Sequence, residues 1–291
     1  MLFFLNYPRI ITVLCKQFIK NRGSFLMVKA IILGFIQAVT EFLPVSSSGH
    51  LRIAEYFLQF NTENILSFEI ALHFGTFLAT CLVFRKDIIN AIVGFFSGLK
   101  DIKYSSKNSE GFRVGLMVII ASIPVAIVGL FLEEYLSNID TKRVGLNLII
   151  TGSILLLTKK ADRGINKDAL TTTYYNALLI GFAQAIAVFP GISRSGMTIS
   201  AALFLGLNRD FAGRFSFLIS LPAIFGALLL SLKDLTDFNF TYVIVGLLTS
   251  FIFGVIALKF LMSFLKKGKL YYFSFYCIIV GLAVYIYFIN A

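Results

Sequence analysis

The feature that most constrains this chain is a stretch that an apolar helix should not contain. Residues 34–54 read GFIQAVTEFLPVSSSGHLRIA, a hydrophobic run broken by a carboxylate (Glu41), a proline (Pro44), the serines Ser46, Ser47 and Ser48, and a histidine (His50). Broken backbone and ionisable side chains at hydrocarbon depth are tolerated where they line a cavity. The same design returns at residues 181–201, GFAQAIAVFPGISRSGMTISA. Sliding Gly34 onto Gly181 superimposes identical residues at Ala30, Gly34, Phe35, Gln37, Ala38, Phe42, Ser46, Ser48, Gly49 and Ala54, and again at Phe57, Leu58 and Asn61. The second copy has no acid and no histidine and offers an arginine, Arg194, in their place. The rest of the chain is read as the frame that holds these two copies face to face.

Composition says what kind of frame. The 291 residues are 58 % hydrophobic and 14 % charged, with a mean hydropathy of +0.86. Soluble domains lie near 45–50 % apolar and about 25 % charged, so the chain reads as an integral membrane protein, with no polar block long enough for a soluble domain. The net charge of +11 fits lysine and arginine retained in cytoplasmic loops. No aromatic-basic or helix-turn-helix pattern accompanies it, so nucleic acid is not expected as a partner. Cys15, Cys81 and Cys277 are dispersed in apolar surroundings, without a disulfide framework or metal-ligand spacing.

Residues 1–27 read as an N-terminal extension, with Arg9, Lys16, Lys20 and Arg22 but neither a signal-peptide core nor a full span. Met27 is the expected start, and residues 28–291 the single membrane domain, with a first repeat at 28–158 and a second at 174–291. The first hairpin occupies 28–60 and the second Tyr174–Leu207. Each apolar arm looks too short to cross a ~30 Å hydrocarbon core at 1.5 Å per residue, which predicts helix, loop, helix, entering and leaving on one side. Six full spans are expected at Leu66–Phe84, Val114–Leu132, Val144–Thr158, Phe215–Leu232, Tyr242–Met262 and Leu270–Ile289. The expected fold is therefore all-α, with six transmembrane helices plus two re-entrant helix-loop-helix hairpins. Loops 85–113, 159–173 and 263–269 are basic and belong in the cytoplasm, whereas 133–143 and 233–239 belong outside. Three spans separate the copies, so they form an inverted repeat. Secondary carriers share that architecture, and it leaves both a carrier and an enzyme open.

The chemistry sits in the loops. Gln37 and Glu41, four residues apart, share a helix face. Ser46, Ser47, Ser48, Gly49 and His50 gather hydroxyls, flexible backbone and an imidazole within one turn. Ser47 and His50 stand at i, i+3, so the histidine can take the serine proton, while one of the serines caps the second arm. Residues 190–198, PGISRSGMT, resemble an anion cradle, in which glycines admit close backbone approach, helix N-terminal amides face the ligand and Arg194 forks onto oxygens. The natural partners of Arg194 are a phosphate group or Glu41. Glu69 and His73 at i, i+4 read as a polar pair satisfying one another, and Arg209 and Arg214 as cations snorkelling to the interface.

These motifs resemble the bacterial undecaprenyl-pyrophosphate phosphatase family, also called the bacitracin-resistance proteins. Two runs carry the likeness: Gln37 to His50, QAVTEFLPVSSSGH, and Pro190 to Thr198. Phe68-Glu69 and Phe215-Ser216-Phe217-Leu218 with Pro222 resemble further landmarks. The resemblance covers about residues 28–289. It implies hydrolysis of the terminal phosphate of an isoprenyl pyrophosphate lipid in the bacterial cytoplasmic membrane, at a site open to the outer face. It makes Glu41, Ser47, His50 and Arg194 the catalytic candidates, with Ser47 or His50 as nucleophile. Gln37, Ser46, Ser48, Ser193, Ser195 and Thr198 become substrate-binding candidates. A divalent cation, Mg²⁺ or Ca²⁺, is implied, with Glu41 as its ligand and no organic cofactor. Gln37 departs from a pattern that often has glutamate there, which weakens metal binding and shifts weight to Glu41. A dimer is compatible with such a chain. Phosphatases of the vanadium-sensitive lipid type also use Ser-Gly-His and Ser-Arg, but they need a second histidine after the arginine, and none follows Arg194.

Overall fold

The computed structural model describes residues 7–58, 65–137, 139–161, 166–231 and 240–290, with side chains from Phe25 onward except at 65–66 and 132–137. The chain folds into helices, and a single bridge between Lys167 and Leu207 is the only β-type pairing among the described residues. The first half contains α1 (Tyr7–Phe42), α2 (Ser47–Leu58), α3 (Ile65–Val83), α4 (Arg85–Gly98), α5 (Ile102–Asn108), α6 (Glu110–Ser137) and α7 (Thr141–Leu157). The second contains α8 (Tyr174–Ile186), α9 (Arg194–Phe204), α10 (Arg209–Ser231), α11 (Phe240–Lys266) and α12 (Tyr272–Asn290). Among the described residues, five helices are long and apolar enough to cross a bilayer, or up to six when the bent pair α3–α4 counts as one span. The chain is a multi-pass membrane protein.

Two expectations change. The first motif arm is not a short helix beginning near residue 28, because α1 runs unbroken through Met27 and its Phe25–Phe42 stretch is itself long enough to span. Nothing between Tyr7 and Phe42 removes a helical hydrogen bond, since Pro44 is the first proline after Pro8. Conversely, α7 has only 17 residues and falls short of the spans that length and composition pick out. The basic connection after α3 is helical too: the chain turns by 76° between Ser67–Val83 and Arg85–Gly98. Asn61, Arg163, the leader before Tyr7 and the 233–239 loop lie outside the described residues.

Packing is reciprocal between the halves. α1 lies along α11 and α8 along α6; α3 also packs on α11, and α10 on α6. α7 meets α12 over the largest helix–helix contact. Small residues make these approaches possible. A Cβ on Gly34 would sit 2.8 Å from the Gly246 carbonyl, and one on Gly181, its counterpart in the second copy, 2.5 Å from that of Ala121. Gly145 of α7 and Gly281 of α12 face each other in the same way, each Cβ falling within 2.8 Å of the other's carbonyl. The largest core cluster centres on α10, where Phe211, Phe215, Phe217 and Ile219 are buried. Phe217 packs its ring 5.8 Å from Phe42 and 5.7 Å from Phe84, tying α10 to both α1 and the α3–α4 corner.

The 159–173 loop is also built. Arg113 of α6 donates Nε to Ala169 O at 3.0 Å and another guanidinium nitrogen to Thr172 O. Lys167 donates Nζ to Leu205 O at 2.9 Å. Asp168 accepts from the amides of Leu170 (3.0 Å) and Thr171 (2.9 Å) and from the Thr171 hydroxyl (2.8 Å), which holds its carboxyl below the usual carboxylate range. Arg214 does not simply snorkel. It pairs with Asp87 of α4 and Asp210 of α10, each at 2.9 Å.

Candidate active site

α1 ends at Phe42 and α2 begins at Ser47; α8 ends at Ile186 and α9 begins at Arg194. The two intervening loops touch. A Cβ on Gly49 would lie 3.2 Å from Gly191 Cα, and one on Gly196 3.3 Å from Pro44 Cβ. Corresponding serines shape both loops. Ser193 caps α9 by accepting from the Gly196 amide at 3.1 Å, and its partner in the first copy, Ser46, accepts from the Gly49 amide at 3.4 Å. In each loop the capping serine also bonds the serine two residues on: Ser46 to Ser48 at 3.5 Å and Ser193 to Ser195 at 3.3 Å. Ser46 adopts φ 72°, a conformation unusual for a residue with a side chain and a frequent companion of functional loops.

The second loop is moored to α7. Asn147 Nδ2 donates to Pro190 O at 2.7 Å, and Thr151 Oγ1 to Gly191 O at 3.1 Å while accepting from the Ser193 amide at 3.1 Å. Thr198 is fully buried and points away from the gap, bonding Arg194 O at 2.8 Å and the Ser216 hydroxyl. Ser195 reaches back to Leu43 O at 3.4 Å.

Where the loops meet, Glu41 is the hub. Its Oε1 accepts from Arg194 Nη2, and its Oε2 accepts from Ser47 Oγ at 2.6 Å and from Gln37 Nε2 at 3.2 Å. A carboxylate from the first copy thus neutralises the guanidinium of the second, and 19 % exposure of the Arg194 side chain leaves its remaining donors reachable. The Ser47–His50 pair expected from i, i+3 spacing is not made. His50 Nδ1 lies 2.7 Å from Ser46 O, and its Nε2 lies 2.8 Å from the Tyr276 hydroxyl, whose ring stacks on the imidazole at a centroid distance of 5.6 Å. A carbonyl can only accept, so Nδ1 carries the proton and Nε2 presents the lone pair. His73 likewise does not turn to Glu69 for its hydrogen bond; its Nδ1 is 2.9 Å from Gln37 Nε2 and 3.8 Å from Glu41 Oε2.

Sequence reasoning therefore located the two loops and their charged groups but missed Tyr276, Asn147 and Thr151. Tyr276 stands 226 residues from His50, where no local spacing rule reaches. The Asn147 amide and the Thr151 hydroxyl, one turn apart on α7, look like ordinary helix positions in sequence.

The donor set bears on a divalent cation. Among the described residues no group of three His, Cys, Asp or Glu side chains could cage an ion, and the oxygens of Glu41 already serve Arg194, Ser47 and Gln37. Gln37 Oε1, however, is buried without a hydrogen-bond partner. One carboxylate beside one amide oxygen fits a cation carried mainly by substrate phosphates, the way Mg²⁺ is commonly held, and does not fit a protein-only Ca²⁺ cage.

Comparison with known proteins decides the family. The profile of the family described as bacitracin resistance protein BacA matches residues 30–283. The chain belongs to the BacA family. Relatives bearing the name undecaprenyl-diphosphatase align over nearly their whole length. That of Alkaliphilus metalliredigens is 41 % identical over 263 residues, covering 87 % of this chain and 95 % of the relative. That of Korarchaeum cryptofilum is 43 % identical over 261 residues, covering 88 % and 97 %. The Methanobrevibacter smithii protein is 39 % identical over 271 residues, covering 89 % and 96 %. Both loops of the BacA-type chain, from Gln37 to His50 and from Pro190 to Thr198, fall within the matched residues.

Proposed function

We propose that this protein is a membrane phosphatase that hydrolyses undecaprenyl diphosphate to undecaprenyl phosphate and inorganic phosphate, recycling a lipid carrier and supporting bacitracin resistance. The observation that carries the mechanism is the junction at Glu41, where a serine hydroxyl and an arginine from opposite loops meet on one carboxylate. The terminal phosphate enters the gap between the loops and takes up the donors of Arg194. Ser47 Oγ then attacks the terminal phosphorus as its proton passes to Glu41 Oε2, already 2.6 Å away. The bond from that phosphorus to the bridging oxygen breaks, and lipid monophosphate leaves with the electron pair. Water attacks the resulting phosphoserine, Ser47 recovers its proton, and phosphate departs. His50 Nε2 carries the ring's lone pair, which accepts from the Tyr276 hydroxyl while Ser46 O holds Nδ1–H; once that hydroxyl turns aside, Nε2 is the base that activates the water. Ser46, Ser48, Ser193, Ser195 and Thr198 hold the loops in shape, their hydroxyls being engaged within the protein. A divalent cation bound with the diphosphate would be held by Glu41 and Gln37 Oε1 and would add charge neutralisation at the phosphoryl oxygens.

We also propose that the two loops belong to re-entrant hairpins in an inverted repeat, with the domain at 28–291 built from two halves. The reciprocal pairing supports this: α1 on α11 answers α8 on α6, and α3 on α11 answers α10 on α6. Loop charge supports a site open to the outer face of the cytoplasmic membrane.

The test is phosphate release from undecaprenyl diphosphate by the purified protein in detergent, beside Ser47→Ala and Arg194→Ala. Turnover in wild type, abolished in both folded variants, is the expected result. Binding of the lipid without phosphate release, with and without Mg²⁺, would replace the enzyme with a carrier.

A further inference from the structure

His73 has no place in the chemistry above, and its spacing from Glu69 marks it as an ordinary polar pair. The structure sends it elsewhere. Its Nδ1 approaches Gln37 Nε2 at 2.9 Å, and the same amide nitrogen reaches Glu41 Oε2 at 3.2 Å. An amide nitrogen supplies two protons and no lone pair, so it donates once to each neighbour. Turning the amide over would set Gln37 Oε1 against the carboxylate, acceptor on acceptor. His73 Nδ1 is therefore the unprotonated ring nitrogen, and the bonds run in one direction, from the Gln37 amide outward to His73 and to Glu41.

That chain ends on a particular atom. Oε2 is the oxygen that accepts from Ser47, while Oε1 accepts from Arg194. A carboxylate free to rotate about its last torsion would swing its oxygens out of line with Ser47 and Arg194; one tethered by Gln37 keeps its plane. Gln37 has three torsions of its own, and His73 is what fixes its amide, since Oε1 is buried without a partner.

We propose that His73 is a positioning residue of the phosphatase, which through Gln37 keeps one oxygen of Glu41 on the Ser47 hydroxyl. The proposal rests on the hydrolytic reading above. It makes no use of proton transfer at His73, because the side chain serves as an acceptor only.

The experiment compares His73→Leu and His73→Asn with wild type on undecaprenyl diphosphate, each checked for an unchanged thermal midpoint in detergent. Outer-shell partners of this kind are worth about 10- to 100-fold in activity, so H73L should lose that much in kcat. Its KM should stay within about threefold, since the phosphate grip at Arg194 is untouched. Asparagine places its Oδ1 close to the histidine Nδ1 position and accepts from the same amide, so H73N should recover most of kcat. Gln37→Leu should cost about as much as H73L, and the double variant no more than either alone, as expected for residues that act as one unit. Wild-type kcat in H73L, equal damage in H73N and H73L, or additive losses in the double variant would each overturn the proposal. Those outcomes leave the hydrolytic reading standing, whereas absence of phosphate release by wild type removes both.

Discussion

Replacing Gly191 by alanine tests whether the second loop must be held where it is. The residue sits at φ +93°, a region that L side chains enter at a cost of about 1–3 kcal/mol. Space adds a second penalty. The new Cβ would fall 2.5 Å from Val144 O and 2.8 Å from Asn147 Cβ, contacts that force backbone to move, and overpacking of this kind costs a further ~1–3 kcal/mol. The loop cannot retreat freely, because Asn147 and Thr151 on the same helix hold the carbonyls of Pro190 and Gly191. Relief requires giving up those bonds and shifting Arg194, which opens the next helix. With about 2–6 kcal/mol to dissipate and a displacement of order 1 Å at the arginine, turnover should fall by about 100-fold or more. Phosphate release and the thermal midpoint are read together. Gly129→Ala is the matched control, since a Cβ there meets nothing within 4 Å. Wild-type turnover and midpoint in G191A would refute the argument that this mooring sets the site.

Two other outcomes follow from the geometry. Arg194→Lys keeps the charge but loses the planar fork that serves Glu41 and a phosphate at once; at about 1.5–3 kcal/mol for a hydrogen bond to a charged group, kcat/KM should drop by about 10- to 150-fold, and equal kinetics would show that a point charge suffices. Asp168 has a folded pKa below its ordinary value, so the stability it lends is complete above the unfolded carboxylate value near 3.9 and disappears as pH falls through the lower folded one; protection factors of the Leu170 and Thr171 amides should hold at pH 5 and above and fall below about pH 4, and pH-independent protection would contradict it.

What the sequence made legible was what repeats or alternates along the chain. The internal match placed both loops, because proline, serine and glycine at corresponding positions mark a break in two apolar runs. The Arg194–Glu41 contact was within reach too, since a lone cation and a lone anion in apolar segments have few alternatives. Contacts set by how one helix faces another were not. Spacing of four residues ties His73 to Glu69 in any helix diagram, yet the rotation of α3 against α1 presents it to Gln37. Spacing of three ties His50 to Ser47, yet a backbone turn at Ser46 with positive φ points the ring at its own carbonyl and at Tyr276. The long reach of α1 was hidden for another reason: its polar leader resembles no span, and helix continuity depends on the absence of breakers, which composition does not display.

The ion pair between Arg194 and Glu41 also has a bearing on how the enzyme empties itself. Any anion that grips the arginine shares it with a carboxylate supplied by the chain, and that fixed negative charge lowers the affinity for a phosphate group below what a bare guanidinium would give. At the end of a cycle the same repulsion acts on the product. Inorganic phosphate, lacking the lipid chain that anchors the substrate in the bilayer, meets a negative charge that never diffuses away. The protein carries its own product-repelling group at a fixed position, and weak product inhibition is the kinetic form in which that contact becomes visible.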